Sequence, residues 1–106
     1  RNFSNYTLLK ETLFSNFPFE DIEIVSGTAN GADKLGERFA REFKYPIKRF
    51  PANWNEYGKS AGYIRNSEMA NYADGCICFW DGESKGTFHM INLAKGKKID
   101  LVVIRY

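Results

Sequence analysis

Short apolar runs alternate with amphipathic segments along this chain, and that alternation limits the folds open to it. Short apolar runs predict four strands: two buried strands at 22–26 and 75–80, a short strand at 47–50 and a last strand at 99–104. Apolar residues at helical spacing predict four helices, at 5–17, 31–44, 63–72 and 87–95. Strands separated by helices favour an α/β fold with a parallel sheet covered on both faces, which brings the strand-to-helix loops to one edge.

The start of the chain departs from this pattern. It opens with Arg1-Asn2-Phe3 and enters its first helix with no strand before it. Because an α/β domain normally begins with a strand, we expect the first strand to lie upstream of this sequence. We therefore treat 1–106 as a single domain that is truncated at its N-terminus, a size that suits one domain.

Charge and cysteine content narrow the classes of function. The chain has 15 basic and 13 acidic residues, a net charge of +2, which gives no argument for non-specific binding of nucleic acid. No apolar run approaches the length of a transmembrane helix, and the polar N-terminus does not resemble a signal peptide, so we expect a cytoplasmic protein without a membrane partner. Cys76 and Cys78 should share one face of a strand as buried free thiols, and they lack the spacing of a metal site.

The loop between the first predicted strand and its helix, Ser26–Asp33, has the composition of a phosphate-binding turn. Gly27 and Gly31 allow unusual backbone dihedrals, and the helix start, with Asn30 as candidate N-cap, presents unpaired N–H groups. The glycine spacing matches neither the dinucleotide fingerprint nor the P-loop. The loop is a candidate anion site, and a turn that only joins a strand to a helix is the alternative.

A second loop of this kind runs from Asp81 to Thr87, and its helix is expected to end at Gly96 as the C′ residue. A helix dipole alone gives a phosphate about 0.3–1 kcal/mol, so tight binding needs a side-chain cation as well. Arg1 and Arg65 are the candidates, because a guanidinium can bind phosphate with two parallel hydrogen bonds. A solvated surface arginine is the alternative for each.

Aromatic residues cluster in the segment 51–62, which we expect to be irregular, and just after it. Trp54, Tyr57 and Tyr63 could stack on a base or ribose beside a phosphate site, or they could pin the segment to the core. His89 is the single histidine, and without a partner at metal spacing it is interpreted as structural.

Three segments together resemble the YspA-like, cpYpsA-related branch of the SLOG superfamily. They read SGTANGAD at 26–33, FPANWNEYGKSAG at 50–62 and IRNSEM at 64–69. The opening residues look like the tail of that family's Gly-Ser-Arg-x-Phe motif, so the resemblance covers nearly the whole chain. It implies a Rossmann-like three-layer sandwich with a mostly parallel sheet that binds a nucleotide or a nucleotide-derived phosphorylated ligand.

The two loops, the arginines and the resemblance give one set of candidate ligand-binding residues. The set is Arg1, Ser26, Gly27, Thr28, Gly31, Ala32, Asp33, Arg65, Asn66, Gly82, Gly86 and Thr87. The last three match the family's second loop only loosely. Neither a metal nor a further cofactor is expected.

One departure from the superfamily concerns catalysis. Its members include cytokinin-activating phosphoribohydrolases of the lonely-guy type and the DNA-uptake proteins of the DprA family. In the phosphoribohydrolases a catalytic glutamate follows the threonine of the second loop by three residues, and here that position is Met90. A thioether cannot act as general acid or base. Asp33, Glu68 and Asp81 are the carboxylates that could replace it.

Four functions follow from these observations. We expect a sensor or effector domain that binds a phosphorylated nucleoside derivative, and the alternative is a hydrolase that cleaves an N-glycosidic or phosphoester bond in a nucleotide. The near-neutral charge counts against a nucleic-acid-binding module. A plain interaction domain would leave Arg65 beside two glycine loops without an explanation. A homodimer is compatible with the many aromatic residues.

Overall fold

The computed structural model describes residues 3–18 and 21–106, so Arg1 lies outside the described residues. Within them, helices and strands alternate in the order α1 Tyr6–Asn16, β1 Ile24–Ser26, α2 Ala32–Phe43, β2 Ile47–Arg49, α3 Trp54–Tyr57, α4 Ala61–Tyr72, β3 Gly75–Trp80, α5 Lys85–Lys97 and β4 Asp100–Arg105. A 3₁₀ turn, Gly58–Ser60, leads from α3 into α4.

The strands of the described residues form two small parallel sheets. In one, β1 pairs with β2 and Ile24 lies opposite Ile47. In the other, β3 pairs with β4 and Gly75 lies opposite Asp100. The prediction of an α/β fold with parallel strands is confirmed, but β1 is not hydrogen-bonded to β3, so the described strands do not form one continuous sheet.

The two faces of β3 pack against different helices, as the two-residue repeat of a strand requires. Phe79 packs with Phe3, Leu9 of α1 and Phe39 of α2 in one buried cluster. Cys78 packs with a second cluster from α4 and α5, formed by Ala70, Met90 and Ile91. The first cluster also includes Ile24 of β1, so both sheets share one core. The radius of gyration, 13.0 Å, is that of a compact domain of this length.

Cys76 and Cys78 share a face of β3, as predicted, and both are free thiols with their sulfur atoms 3.5 Å apart. Two large side chains at the ends of helices lie partly at the surface. Phe43 is 37% exposed and Tyr72 is 47% exposed. Each lies in the last turn of its helix, at the rim of the core; Phe43 packs edge-on against Phe14, and the Tyr72 hydroxyl donates to Glu23 at the surface.

The ends of several helices also differ from the predictions. The segment 51–62 is not irregular, because the Asn53 side chain accepts the N–H of Glu56 at 3.1 Å and starts α3. Gly31, not Asn30, is the N-cap of α2, with a φ of 89° that favours glycine. Gly96 lies inside α5, and Lys98 takes the left-handed conformation that ends the helix.

Two exposed glycines provide a matched test of these helix ends. A Cβ added at Gly96 or at Gly58 would meet nothing within 4 Å, but only Gly58 has a positive φ, 54°. We expect Gly96→Ala to raise the free energy of unfolding by about 0.4–1 kcal/mol, because alanine restricts the unfolded chain and suits a helix. Gly58→Ala should lower it. Urea denaturation measures both, and a loss of stability in Gly96→Ala would contradict its place inside the helix.

Candidate functional site

A cavity of about 690 Å³ lies between the two sheets and reaches the carboxyl ends of β1 and β3. Its inner walls are apolar and include Val25, Ile77 and Phe79. Its outer part, which we call the polar mouth, is formed by residues that follow the strands or begin the helices. They are Ala29, Asn30, Asp33, Arg65, Asn66, Ser84, Gly86 and Thr87. The mouth therefore lies where open α/β sheets bind their ligands.

Arg65 and Asn66, in the second turn of α4, connect the two predicted loops. Arg65 Nη1 donates to the carbonyl oxygen of Gly27, and Arg65 Nε donates to Asn66 Oδ1 at 3.0 Å. Asn66 Nδ2 in turn donates to the carbonyl oxygen of Gly86 at 3.2 Å. A Cβ added at Gly27 would lie 2.6 Å from Arg65 Nη1, so only glycine allows this approach. The structure thus brings together Gly27, Arg65, Asn66 and Gly86 of the predicted set.

His89, which was predicted to be structural, joins this network. Its Nδ1 lies 3.3 Å from Asn66 Nδ2 and can accept that hydrogen when the ring is neutral and protonated on Nε2. The ring of Tyr63 meets the His89 ring edge-on, with centroids 4.7 Å apart. An exposed aromatic ring and an imidazole therefore adjoin the mouth.

A buried carboxylate fixes the start of the first loop. Ser26 is fully buried, and its hydroxyl donates to Glu37 Oε2 at 2.7 Å while accepting the N–H of Thr28 at 3.0 Å. Arg49 Nε and Nη2 each lie 3.1 Å from Glu37 Oε1. Burial opposes ionisation of Glu37, but the hydrogen bonds from Ser26 and Arg49 outweigh it and lower the pKa of Glu37. The hydroxyl of Ser26 is thus engaged inside the protein rather than at the mouth.

Asp33 has the opposite electrostatic character. Asp33 lies in the first turn of α2, and its Oδ2 accepts the N–H of Ala29 at 3.2 Å. Burial raises the pKa of Asp33, and the N–H of Ala29 and the charge of Arg65 offset this only in part. A carboxyl group that protonates more readily than usual therefore lines the mouth.

The two helix starts differ in what they offer an anion. Ser84 caps α5, since its Oγ accepts the N–H of Thr87 at 3.4 Å. Gly31 gives α2 no side-chain cap in the described chain, so the first N–H groups of α2 remain available. The asymmetry favours α2 as the helix that would receive a phosphate.

Asp81 is engaged by its own turn. Its Oδ1 accepts the N–H groups of Glu83 and Ser84, each at 2.8 Å, and these bonds lower the pKa of Asp81. Gly82 has a φ of 89° and lies against the guanidinium of Arg105, at the end of β4. Neither Asp81 nor Gly82 is among the residues that form the polar mouth.

The remaining predicted residues fall into two groups. Ala32, Asp33 and Thr87 line the cavity, whereas Thr28 supports the first loop in a left-handed conformation with φ 63°. Glu37 and Ser84 were not predicted. Glu37 follows Asp33 by one helical turn and shares a face with the buried residues Gly36 and Ala40, so a charge on a buried helix face was the signal for it.

Comparison with known proteins relates the chain to a bacteriophage protein. The chain is 35% identical over 85 residues to the Gene 61 protein of Mycobacterium phage D29. The chain belongs to the family of this Gene 61 protein. The match covers 74% of the chain and 68% of the relative. No family model matches the chain, and no solved structure matches it.

No helix in residues 3–18 and 21–106 is both long enough and apolar enough to cross a membrane. In the same part of the chain, no three His, Cys, Asp or Glu side chains are grouped so that they could hold a metal ion.

The buried Glu37 makes a testable contribution to stability. Because its pKa in the folded protein is lowered, its stabilisation is present above the ordinary value of 4.5 and is lost as the pH falls through the lower, folded value. We expect Glu37→Gln to lose about 1.5–3 kcal/mol at neutral pH, since it breaks charge-assisted hydrogen bonds. Its melting temperature should also fall less steeply than that of the parent between about pH 5 and 3.

Glu83→Gln is the matched control, because Glu83 is exposed. It should leave neutral stability within about 0.5 kcal/mol of the parent. If Glu37→Gln and Glu83→Gln gave the same pH profile, the buried network would contribute nothing measurable to stability.

Proposed function

We propose that the polar mouth binds a phosphorylated nucleoside derivative and that the protein acts as a sensor or effector domain of SLOG type. The observation that carries this is the position of Arg65, which lies between the uncapped start of α2 and an exposed indole. Arg65 uses Nη1 and Nε in the hydrogen bonds described above. Its Nη2 group remains to bind a phosphate together with the N–H groups of α2.

The indole of Trp54 supports a nucleotide rather than a simple anion. The position that a Cβ on Gly62 would take lies 3.4 Å from Trp54 Cη2 and 3.8 Å from Arg65 Nη2. The ring and the guanidinium therefore border the same small space. Trp54 is 57% exposed and Tyr57 is 45% exposed, so these rings do little to pin their segment to the core. An exposed ring beside a phosphate site is suited to stacking on a base.

The fold and the resemblance support the same proposal. Parallel strands with helices on both faces of β3, and loops at one edge, are compatible with a Rossmann-like sandwich. The resemblance to the YspA-like branch of the SLOG superfamily includes Gly27, Asp33, Arg65 and Asn66. These residues belong to or adjoin the connected network at the mouth.

Asp33 favours the second candidate function, hydrolysis of a nucleotide. A carboxyl group with a raised pKa is suited to act as a general acid, and Asp33 lines the mouth. The other two carboxylates are less suitable, because Asp81 is engaged by its own turn and Glu68 is exposed. Met90 is buried in the second core cluster, so it leaves the position of the missing glutamate without an acid or base.

Substitution of Arg65 tests whether the mouth binds phosphate. A thermal-shift screen would use nucleoside mono- and diphosphates, NAD and ADP-ribose. A ligand present at 100 times its Kd should add about 2.7 kcal/mol, which raises the melting temperature by roughly 10–20 °C in a chain of this size. Arg65→Ala should abolish the shift. Arg65→Lys should reduce it, because a single ammonium group cannot keep the bonds to Gly27 and Asn66 and also reach the phosphate.

Arg41→Ala is the control, since Arg41 is exposed in the last turn of α2. It should leave the shift unchanged. The proposal is wrong if no compound in the panel shifts the parent protein. Chromatography of the same mixtures separates the two functions, because release of free base that Asp33→Asn abolishes would show hydrolysis.

Substitution of Trp54 tests whether a base is recognised. We expect Trp54→Ala to weaken binding of a nucleotide by about 1–3 kcal/mol while leaving binding of inorganic phosphate unchanged. Tyr57→Ala is the matched control on the same short helix, and Tyr57 is also exposed. Isothermal titration calorimetry measures both ligands. Equal losses for nucleotide and phosphate in Trp54→Ala would mean that the ring only supports the loop.

A further inference from the structure

All the sulfur-containing side chains of the protein lie in one cluster. The chain has two cysteines and two methionines. Cys76 and Cys78 come from β3, Met69 from α4 and Met90 from α5, and all four belong to or pack against the second core cluster. The same four residues line the cavity. Three separate elements therefore bring every sulfur atom of the chain to one place, which we call the sulfur cluster.

The two thiols of this cluster are close enough to bind one metal ion. Their sulfur atoms are 3.5 Å apart. Two thiolates that share an ion, each at the roughly 2.3 Å of a metal–thiolate bond, are about 3.8 Å apart in tetrahedral geometry. A small rotation of either side chain is enough to reach that separation.

The backbone of β3 does not favour a disulfide between the same two residues. Residues two apart on an extended strand have Cα atoms about 6.6 Å apart, close to the upper limit of about 6.8 Å for a disulfide. Cys76 pairs with Leu101 and Cys78 with Val103 in the parallel ladder to β4, which keeps this part of β3 extended. Both cysteines are free thiols in the structure. The geometry is thus better suited to an ion held between the sulfur atoms than to a bond between them.

The ligands of the cluster select a soft ion. In the part of the chain that the structure describes, no three His, Cys, Asp or Glu side chains are grouped to hold a metal. Zn²⁺ and Ca²⁺ would therefore find too few of their usual ligands. Thiolates and thioethers together are the ligands that Cu(I) prefers. Cys78 is 5% exposed and Met90 is 8% exposed, so the ion would be shielded from water.

The thiol of Cys76 is the one that ionises more readily. A hydrogen bond from Cys78 lowers the pKa of Cys76, against the effects of burial and of the negative charge of Asp33. Cys76 is half-buried, whereas Cys78 is buried. Cys76 is therefore the ligand that an entering cation meets first, and a cation offsets the negative charge of Asp33.

We propose that the sulfur cluster is a binding site for one Cu(I) ion. Cys76 and Cys78 bind it as thiolates, and the thioethers of Met69 and Met90 complete its coordination. The ion replaces the protons of the two thiols, and both protons leave to solvent. The copper keeps its oxidation state throughout, so no oxidant or reductant is consumed. This site is distinct from the polar mouth and does not depend on the binding of a nucleotide.

Titration of the reduced chain of 106 residues with Cu(I), without oxygen, tests the proposal. The chromogenic chelator bicinchoninate competes for the ion. We expect the parent protein to withdraw one Cu(I) per chain from the chelator. The double variant Cys76→Ser, Cys78→Ser should withdraw none. An unchanged stoichiometry in this variant would overturn the proposal, and so would displacement of the bound Cu(I) by an equimolar amount of Zn²⁺.

The methionines are tested by Met69→Leu and Met90→Leu, which keep the volume of the side chain. Each should weaken the affinity for Cu(I) by at least roughly 10-fold, because changes outside the ligand set already cost 10–100-fold. Ile91→Val is the matched control, since Ile91 is buried in the same cluster and has no sulfur. It should bind Cu(I) as the parent does. Parent affinity in both methionine variants would contradict the assignment of the thioethers.

X-ray absorption at the copper edge gives a readout that needs no variant. In the parent protein we expect a ligand shell made of sulfur alone, at about 2.3 Å. A nitrogen or oxygen ligand in this shell would overturn the proposal. None of these measurements involves a nucleotide, so their failure is distinguishable from failure of the proposed function.

Discussion

The guanidinium of Arg65 holds together the two loops of the polar mouth. The first loop follows β1 and the second follows β3, and these strands belong to separate sheets in the described chain. The bond from Arg65 to Gly27 and the chain from Asn66 to Gly86 therefore set the separation of the two loops. Hydrogen bonds to a charged group contribute about 1.5–3 kcal/mol to stability, more than hydrogen bonds between neutral groups. The charge of Arg65 therefore makes its bond to the first loop a strong one.

Two carboxylates one helical turn apart on α2, Glu37 and Asp33, have pKa values shifted in opposite directions. Glu37 accepts hydrogen bonds from Ser26 and Arg49, so its charge is stabilised and fixes the loop. Asp33 is also largely removed from water but has weaker compensation, so its pKa is raised and its ionisation costs stability as the pH rises above the ordinary value of 3.8. A group that costs stability at the mouth of a cavity is typical of a functional site.

The strength of each local signal decided how much of this structure the sequence could predict. Helical spacing and β-branched runs located the main helices and strands, because both depend on short-range periodicity. Helix ends were less predictable. Asn53 starts a helix in a segment that appeared irregular, and Lys98 ends α5 where Gly96 was expected to. In each case several residues could serve, and tertiary packing selected one.

The residues of the candidate site also differ in how far the sequence could predict them. Glycines, Arg65 and Asn66 could be singled out because their chemistry is suited to phosphate and their motif is specific. Glu37, which fixes the first loop, was missed because its partner Ser26 lies 11 residues away and Arg49 lies 12 away. No local pattern predicts that three such side chains meet. Separation into two sheets could not be predicted either, since it depends on which strand edges find partners.

The short strand β1 and the polar mouth are physically coupled. In the described chain β1 has three residues and pairs with β2 alone, so Glu37 and Arg65 provide much of what positions the loop that follows it. The bonds of Glu37 to Ser26 and of Arg65 to Gly27 would hold the first loop in place before the proposed ligand arrives. Ordering a loop on binding reduces affinity, and preorganisation removes that cost. Glu37 would then act on the affinity for that ligand without any contact between its buried carboxylate and the ligand.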